Sequence, residues 1–216
     1  MSNSFDEVRA KAREILGQSV VKALKAKGYE AAYASSKEAA LEEVLKLIPE
    51  GASVGVPGTV TVREIGAMEK LKERGCTIYH HWNPALSPEE RSQVLLDEIC
   101  ADYFLTSANA VTKDGKIVNI DGNGNRVSGM AWGRNTLIFV IGVNKVAQDL
   151  DAAIARARTA TPPNALRLNG STPCTQTGYC VDCDSPARIC RALLILERPT
   201  TGRKTHVIMV GEDLGF

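Results

Sequence analysis

The chain has 216 residues, enough for one α/β domain with a substantial core. Its 26 Lys and Arg residues almost balance its 25 Asp and Glu residues, so the net charge of +1 gives no reason to expect binding to nucleic acid or to anionic lipid. The first residues are polar and acidic, unlike a signal peptide, and no apolar run approaches the roughly 20 residues of a membrane helix. We therefore expect a cytoplasmic protein without membrane insertion.

Helix and strand patterns alternate through the first half of the chain. Several helix starts carry a Ser or Thr that can cap the first backbone N–H groups, with a Glu three residues later. In chain order, the predicted elements are a helix over 5–27 ended by Gly28, a strand over 29–34, a helix from a Ser35–Glu38 capping box to Ile48, a strand over 52–56, a helix from a Thr61–Glu64 capping box to about Gly75, a strand over 77–80, and a helix that begins at Ser87 with Pro88 in its first position.

The second half continues the alternation and adds a hairpin. The predicted elements are a strand over 101–106, a hairpin over 111–118 that turns at Asp114-Gly115, a very apolar strand over 136–143, a helix over 149–159, and strands over 192–196 and 206–210. This order predicts a doubly wound, mostly parallel sheet with helices on both faces, in which 52–56, 101–106 and 136–142 lie side by side. We expect one domain over 1–216, with a cysteine-rich loop at 172–191.

The first candidate binding segment is the glycine-containing loop after the strand at 52–56. Gly58 lets backbone N–H groups approach an anion, and Thr59 and Thr61 supply hydroxyls. Arg63 can clamp a carboxylate or a phosphate. A tight turn followed by a helix cap would explain Gly58, Thr61 and Glu64 without a ligand, but it requires neither Thr59 nor Arg63.

The second candidate segment combines Asn, Asp, Gly and Arg residues after two strands. Asn109 and Asn125 offer hydrogen-bond donors and acceptors, and Asp121 is the best candidate for a general base. Arg126 either neutralises an anionic substrate or pairs with Asp121. An Asn/Gly turn cluster is the alternative, and it accounts best for Asn123 and Gly124.

The third candidate segment, Gly142-Val-Asn144-Lys145, follows the apolar strand directly. Lys145 can supply charge to a carboxylate or phosphate, or act as a base if it is desolvated, although an exposed surface lysine is the alternative. Because strand ends share one edge of a sheet, we expect Thr59, Asn109, Asp121, Arg126 and Lys145 to line one cleft. The adjacent His80 and His81 make a poor joint metal site, since neighbours on a strand point to opposite faces. Trp82 and Trp132 are interpreted as packing residues.

Four cysteines lie close together in the pattern C-x5-C-x2-C-x6-C, at Cys174, Cys180, Cys183 and Cys190. Thiolates at such spacing can bind one metal ion or an iron–sulfur cluster, although the pattern fits no single zinc-ribbon or ferredoxin template. The segment is rich in turn-forming residues, so something must hold it in shape. Redox thiols or disulfides, and simple buried cysteines, are the alternatives. A reducing compartment favours metal over structural disulfides.

The chain as a whole resembles the lactate-utilization (LUD) domain family. The residues that carry this resemblance are Ala108-Asn-Ala-Val-Thr-x-Asp-Gly115, Asn119-Ile-Asp-Gly-x-Gly-Asn-Arg-Val127, Gly142-Val-Asn-Lys145, Pro163-Asn164, the cysteine segment Thr172–Cys190 and the terminal Glu212-x-Leu-Gly-Phe216. The last two look like the short, single-domain branch of the family. The long C-terminal segment with ferredoxin-type cysteine motifs that marks the iron–sulfur subunit is absent from this sequence.

The resemblance implies a fold like that of the superfamily of ribose-phosphate isomerases, glucosamine-phosphate deaminases and CoA-transferases. It also implies a link to lactate oxidation, in which related subunits accompany iron–sulfur proteins. An iron–sulfur cluster is therefore the first expectation for the cysteines, with zinc as the alternative. Two hypotheses follow: a protein that binds or converts a small carboxylate or phosphorylated acid, with Asp121 and Lys145 as catalytic residues, or a non-catalytic accessory subunit of an iron–sulfur lactate-oxidising complex.

Overall fold

The computed structural model describes residues 4–216. Its helices are α1 (Ser4–Ala26), α2 (Lys37–Leu47), α3 (Val60–Glu64), α4 (Ala67–Glu73), α5 (Pro88–Cys100), α6 (Asn125–Ala131), α7 (Leu150–Thr159), α8 (Thr161–Arg167) and α9 (Cys174–Thr177). Its strands are β1 (Glu30–Ala34), β2 (Ser53–Gly55), β3 (Thr77–Tyr79), β4 (Tyr103–Thr106), β5 (Ala110–Thr112), β6 (Ile117–Asp121), β7 (Thr136–Gly142), β8 (Val146–Ala147), β9 (Ala192–Leu196) and β10 (Thr205–Val210).

The larger of the two sheets has six strands in the order β1-β10-β7-β4-β2-β3, and every neighbouring pair is parallel. The prediction that the strands near 52–56, 101–106 and 136–142 lie side by side is confirmed. Alternate side chains of β7 enter different cores: Phe139 packs on the side of α1 and α6, and Val140 on the side of α2 and α4. Burial on both faces explains why β7 reads as a continuous apolar run.

The smaller sheet has the order β8-β5-β6-β9 and is mostly antiparallel. The hairpin predicted over 111–118 is confirmed as β5 and β6, but it does not extend the larger sheet. The two strands are buried on both faces, and each face needs cover. Ile117 packs toward the larger sheet, whereas Val118 packs against α7. A second sheet sandwiched between the first sheet and a helix meets that need.

The predicted capping box at Ser87 is confirmed, since its hydroxyl accepts from the Glu90 N–H and the Glu90 carboxylate accepts from the Ser87 N–H. The box predicted at Ser35 is displaced by one residue. Ser36 is the cap of α2, and its hydroxyl accepts from the Ala39 N–H at 3.3 Å.

The capping box predicted at Thr61 and Glu64 is wrong, and both side chains have other partners. The helix begins at Val60 after Thr59, which makes no side-chain cap. The Thr61 hydroxyl accepts from the Lys145 ammonium at 3.0 Å, and the Glu64 carboxylate accepts from the Gly215 N–H at 2.6 Å. These long-range bonds tie helix α3 to the segments that follow β7 and β10.

Three further differences from the sequence predictions concern local elements. The helix predicted from Thr61 to about Gly75 is split into α3 and α4 at Gly66, whose φ of 70° is left-handed. Helix α6 was not predicted, because its Asn and Gly residues indicate a turn. Trp132 is 70% exposed, so its interpretation as a packing residue is wrong.

Within residues 4–216, no helix combines the length and apolar character needed to cross a membrane.

Candidate functional site

A polar cleft of about 150 Å³ lies at the carboxyl ends of the strands, as the topology of an open α/β sheet favours. The loops after β2, β3 and β4 contribute Gly58, Trp82 and Asn109. The end of β6 and the start of α6 contribute Asp121 and Arg126, and α8 closes the other side. A pocket of about 30 Å³ adjoins this cleft and shares Gly58, Asn109 and Arg126 with it.

Nearly all the residues predicted for one shared site lie at these two pockets. The larger cleft is lined by Gly58, Asn109, Asp121, Asn125 and Arg126, and the smaller pocket additionally by Thr59, Thr61 and Lys145. The structure thus brings together the three segments proposed from the sequence, although the chemical role of each residue stays a prediction.

Asn144 and Arg63 are the exceptions, since neither lines either pocket. The Asn144 side chain instead binds the backbone of Leu214, donating to the carbonyl at 3.4 Å and accepting from the N–H at 3.1 Å. These bonds hold the C-terminal segment against the end of β7, and they give Asn144 a structural task.

Asp121 is paired with Arg126. The Arg126 Nε donates to Asp121 Oδ1 at 3.0 Å, and the Arg126 backbone N–H donates to Oδ2 at 3.1 Å. Arg126 also donates to the Ile120 carbonyl. Both carboxylate oxygens are therefore engaged, and the pairing orients the guanidinium at the cleft. The general-base role of Asp121 stays a prediction, and a proton transfer to it would compete with these bonds.

Two further arginines pack on Trp82, and of these Arg167 lines the cleft whereas the exposed Arg63 does not. The guanidinium carbon of Arg63 lies 4.0 Å from the Trp82 ring centroid, and that of Arg167 lies 4.3 Å from it. Burial lowers the pKa of both groups, and the charges of Arg126 and Arg63 lower the pKa of Arg167 further. In the described chain neither arginine has a carboxylate within ion-pair distance, and the buried Arg167 Nε has no hydrogen-bond partner. The cleft therefore carries positive charge that the fold itself does not neutralise.

Arg167 was not predicted as a site residue from the sequence, and Trp82 was interpreted as a packing residue. The signal for Arg167 was weak, because an arginine near the end of a helix is explained by the helix dipole or by solvent exposure. Only the fold shows that α8 carries this side chain to the ring of Trp82, at the end of β3.

His81 forms a buried pair with Glu98 that the sequence did not reveal. The His81 Nδ1 lies 2.6 Å from Glu98 Oε1, and the same oxygen accepts from the His81 backbone N–H at 2.8 Å. Glu98 is fully buried on α5, while His81 lines the cleft. The interpretation of His80 and His81 as a poor joint metal site is compatible with this arrangement, since His81 is directed to a carboxylate.

Lys145 is buried, and its ammonium nitrogen lies 3.0 Å from Thr61 Oγ1 and 3.1 Å from Ser107 Oγ. Burial lowers its pKa to about 7, and the charge of Arg156 adds to the effect. Glu64 acts in the opposite direction, but its carboxylate binds the Gly215 N–H. Lys145 is therefore available as a neutral amine near neutral pH.

The titration of Lys145 predicts a pH-dependent stability. Above about pH 7 the folded chain releases the Lys145 proton, whereas the unfolded chain keeps it until about pH 10. The unfolded state then binds more protons, so the stability of the wild type relative to Lys145→Met should rise by up to about 1.4 kcal/mol per pH unit in this window. Below pH 7 the difference should be flat. Urea unfolding of both proteins at pH 6, 8 and 9 measures it, and a pH-independent difference would contradict the prediction.

The four clustered cysteines line one small pocket. All four are free thiols, and Thr172 and Arg188 lie among them. The Asp182 backbone N–H points to Cys180 Sγ at 3.4 Å, and Arg188 donates to the carbonyls of Cys183 and Cys190. Ile189 and Thr161 border both this pocket and the larger cleft. In the described residues, no three His, Cys, Asp or Glu side chains are close enough together to hold a metal ion as they stand.

A parallel six-stranded sheet with an arginine-lined cleft at its strand ends defines this chain as an α/β protein with a polar strand-end site. It is similar in fold to the crystal structure of a DUF162 family protein from Deinococcus radiodurans, with a TM-score of 0.52 and 15% sequence identity over 92% of this chain and 98% of that one. A comparison with curated proteins gives no match. The LUD domain model matches residues 17–210, so the chain belongs to the LUD domain family, which is linked to lactate utilization.

Proposed function

We propose that this LUD domain protein binds a small carboxylate or phosphorylated acid in its strand-end cleft and acts on it there. The observation that carries the proposal is the group of three arginines at Trp82 and Asp121, of which only Arg126 is paired with a carboxylate. Arg167 is left at the cleft wall for an anion from outside the chain, and Arg63 adds a second positive charge from the same ring.

The energetics favour such a ligand. Like charges held close together repel, and a buried guanidinium nitrogen without a partner costs free energy that a hydrogen-bonded anion would remove. Arginine is well suited to the task, because its planar fork binds carboxylate and phosphate oxygens in pairs. The cleft volume of about 150 Å³ lies below the roughly 300–1,000 Å³ of sites for drug-sized molecules, which points to a small metabolite.

A thermal-shift panel tests this proposal. Lactate, pyruvate, phosphoenolpyruvate and inorganic phosphate should be compared with neutral glycerol at equal concentration and ionic strength. We expect at least one of the small acids to raise the unfolding temperature in a saturable manner, because a ligand that binds only the folded state stabilises it. Equal responses to every acid and to added sodium chloride would contradict specific binding.

We further propose that Cys174, Cys180, Cys183 and Cys190 hold a metal centre, with an iron–sulfur cluster as the first choice and zinc as the second. Support comes from the four free thiols that line a single pocket. Four cysteine thiolates are a common ligand set for zinc and for iron–sulfur clusters alike. The segment has few apolar side chains to offset its ordering, whereas metal–thiolate bonds would stabilise it directly. Binding requires the sulfurs to approach one another more closely than they stand in the described chain.

A second candidate function is that of a non-catalytic accessory subunit with an iron–sulfur protein as its partner. Exposed apolar side chains favour it: Tyr179 and Val181 lie in the cysteine segment, and Leu193 lies on β9, an edge strand of the smaller sheet. An edge strand offers unpaired backbone groups to another chain. A panel in which no small acid binds, together with a loaded cysteine centre, would favour this role over a ligand-converting one.

A further inference from the structure

The smaller pocket beside the cleft contains a reactive group whose chemistry can be specified. Lys145 lies at its wall with Thr61, Ser107 and Arg126, and Gly58, Asn109 and Arg126 line both this pocket and the cleft. A molecule bound at Arg126 would therefore lie beside the pocket that Lys145 lines.

The contacts of Lys145 differ from those of a buried structural lysine. Such a lysine is normally paired with a carboxylate, but in residues 4–216 no carboxylate lies within ion-pair distance of the Lys145 nitrogen. The charged groups that act on it are Arg126 from α6, Arg156 from α7 and Glu64 from α3, two positive against one negative. This surrounding charge favours the neutral amine.

The hydrogen bonds of Lys145 also suit a neutral amine. Its nitrogen has two hydroxyl neighbours, Thr61 Oγ1 and Ser107 Oγ. A neutral amine has two N–H bonds and one lone pair. When both N–H groups donate to these hydroxyls, the lone pair remains for an electrophile in the pocket.

We propose that Lys145 forms an imine with the carbonyl carbon of a small 2-oxo acid. This inference rests on the proposed binding of a small acid in the cleft, and it narrows that acid to one with a carbonyl beside its carboxylate. The Lys145 nitrogen adds to the carbonyl carbon, and a proton moves from nitrogen to the former carbonyl oxygen, which gives a carbinolamine. Loss of the hydroxyl group with a further proton from nitrogen releases water and leaves the C=N bond.

The arginines and hydroxyls around Lys145 can each assist imine formation. The arginines of the cleft would hold the carboxylate and so direct the adjacent carbonyl carbon toward the amine. The Thr61 and Ser107 hydroxyls, which contact the nitrogen in the free protein, can carry protons during addition and loss of water. An imine acidifies the neighbouring C–H bonds, so the site would serve proton exchange or carbon–carbon bond chemistry next to the former carbonyl.

Reductive trapping tests the inference without knowledge of the overall reaction. The wild-type protein is incubated at pH 7.5 with pyruvate or glyoxylate and sodium cyanoborohydride, and the labelled lysine is located by peptide mass spectrometry. We expect Lys145 to be labelled at least about 10-fold faster than exposed lysines such as Lys11 and Lys46, because a neutral amine at this pH is the nucleophile. Lactate, which lacks the carbonyl, should give no label.

The variants and the binding data separate the possible outcomes. The Lys145→Arg variant should lose the selective label, and its circular dichroism spectrum reports whether it folds. Lys145→Met is a second variant that should also lose the label. Saturable pyruvate binding to the wild type without a label on Lys145 would overturn the imine but leave the proposed function standing. Absence of both binding and label would overturn both, and equal labelling of all lysines would overturn the inference.

Discussion

The double variant Arg63→Gln/Arg167→Gln is expected to bind the small-acid ligand at least about 10-fold more weakly than the wild type. Arg167 lines the cleft and can give the anion a charged hydrogen bond, which contributes about 1.5–3 kcal/mol, and the charge of Arg63 on the same ring adds attraction. Loss of one such bond corresponds to a factor of about 10 or more. Titration calorimetry with the best ligand of the thermal-shift panel measures the change.

The same double variant should not unfold more readily than the wild type in the absence of ligand. Arg63 and Arg167 lie near one indole ring without a carboxylate partner, so their removal relieves repulsion at a modest cost in packing. The matched control is Arg134→Gln, at an exposed arginine away from the cleft. If the control weakens binding as much as the double variant does, the effect comes from net charge and not from the site.

Replacing Cys180 and Cys183 together with serine should remove the metal centre from the protein. Serine is a far poorer ligand for iron or zinc than a thiolate, and two lost ligands leave at most two of the four. We expect the anaerobically purified wild type to contain iron and sulfide with a broad visible absorption that is absent from the variant. Zinc in a colourless protein would support the same four-thiolate site with the other metal.

The control for the cysteine experiment is Cys100→Ser, because Cys100 is exposed at the end of α5 and does not line the cysteine pocket. Its metal content should match that of the wild type. Wild-type protein that contains neither iron nor zinc would contradict the metal centre. Mass spectrometry would then decide between free thiols and the redox or disulfide alternative.

The fold was largely predictable from local patterns. Strands such as β7 are buried on both faces, and the resulting apolar run identifies them without knowledge of their neighbours. The capping box at Ser87 is equally local, since both partners lie within three residues. The box at Thr61 failed because a buried lysine 84 residues away uses its hydroxyl. A local sequence pattern does not reveal that Lys145, which is distant in the chain, binds the Thr61 hydroxyl.

The site was predictable only where its residues follow strands. Asn109 and Lys145 follow β4 and β7, and parallel pairing of these strands brings both residues to one edge of the larger sheet. Asp121 ends β6 of the smaller, mostly antiparallel sheet, so its place at the cleft depends on how the two sheets pack. Arg167 reaches the cleft from α8, and Glu98 reaches His81 from α5, so neither lies at a strand end. Their contribution depends on the packing of helices against the sheet, which local patterns do not specify.

Fluorescence of Trp82 is the direct test of anion binding in the cleft, because this ring lines the cleft and contacts both Arg167 and Arg63. The chain has two tryptophans, and replacing the exposed Trp132 with phenylalanine makes Trp82 the only tryptophan reporter. We expect a saturable change in Trp82 emission as the small acid is added to Trp132→Phe, and loss of that change when Arg167→Gln is introduced as well. Calorimetric binding that leaves Trp82 emission unaltered would place the anion elsewhere and contradict a binding site at this cleft.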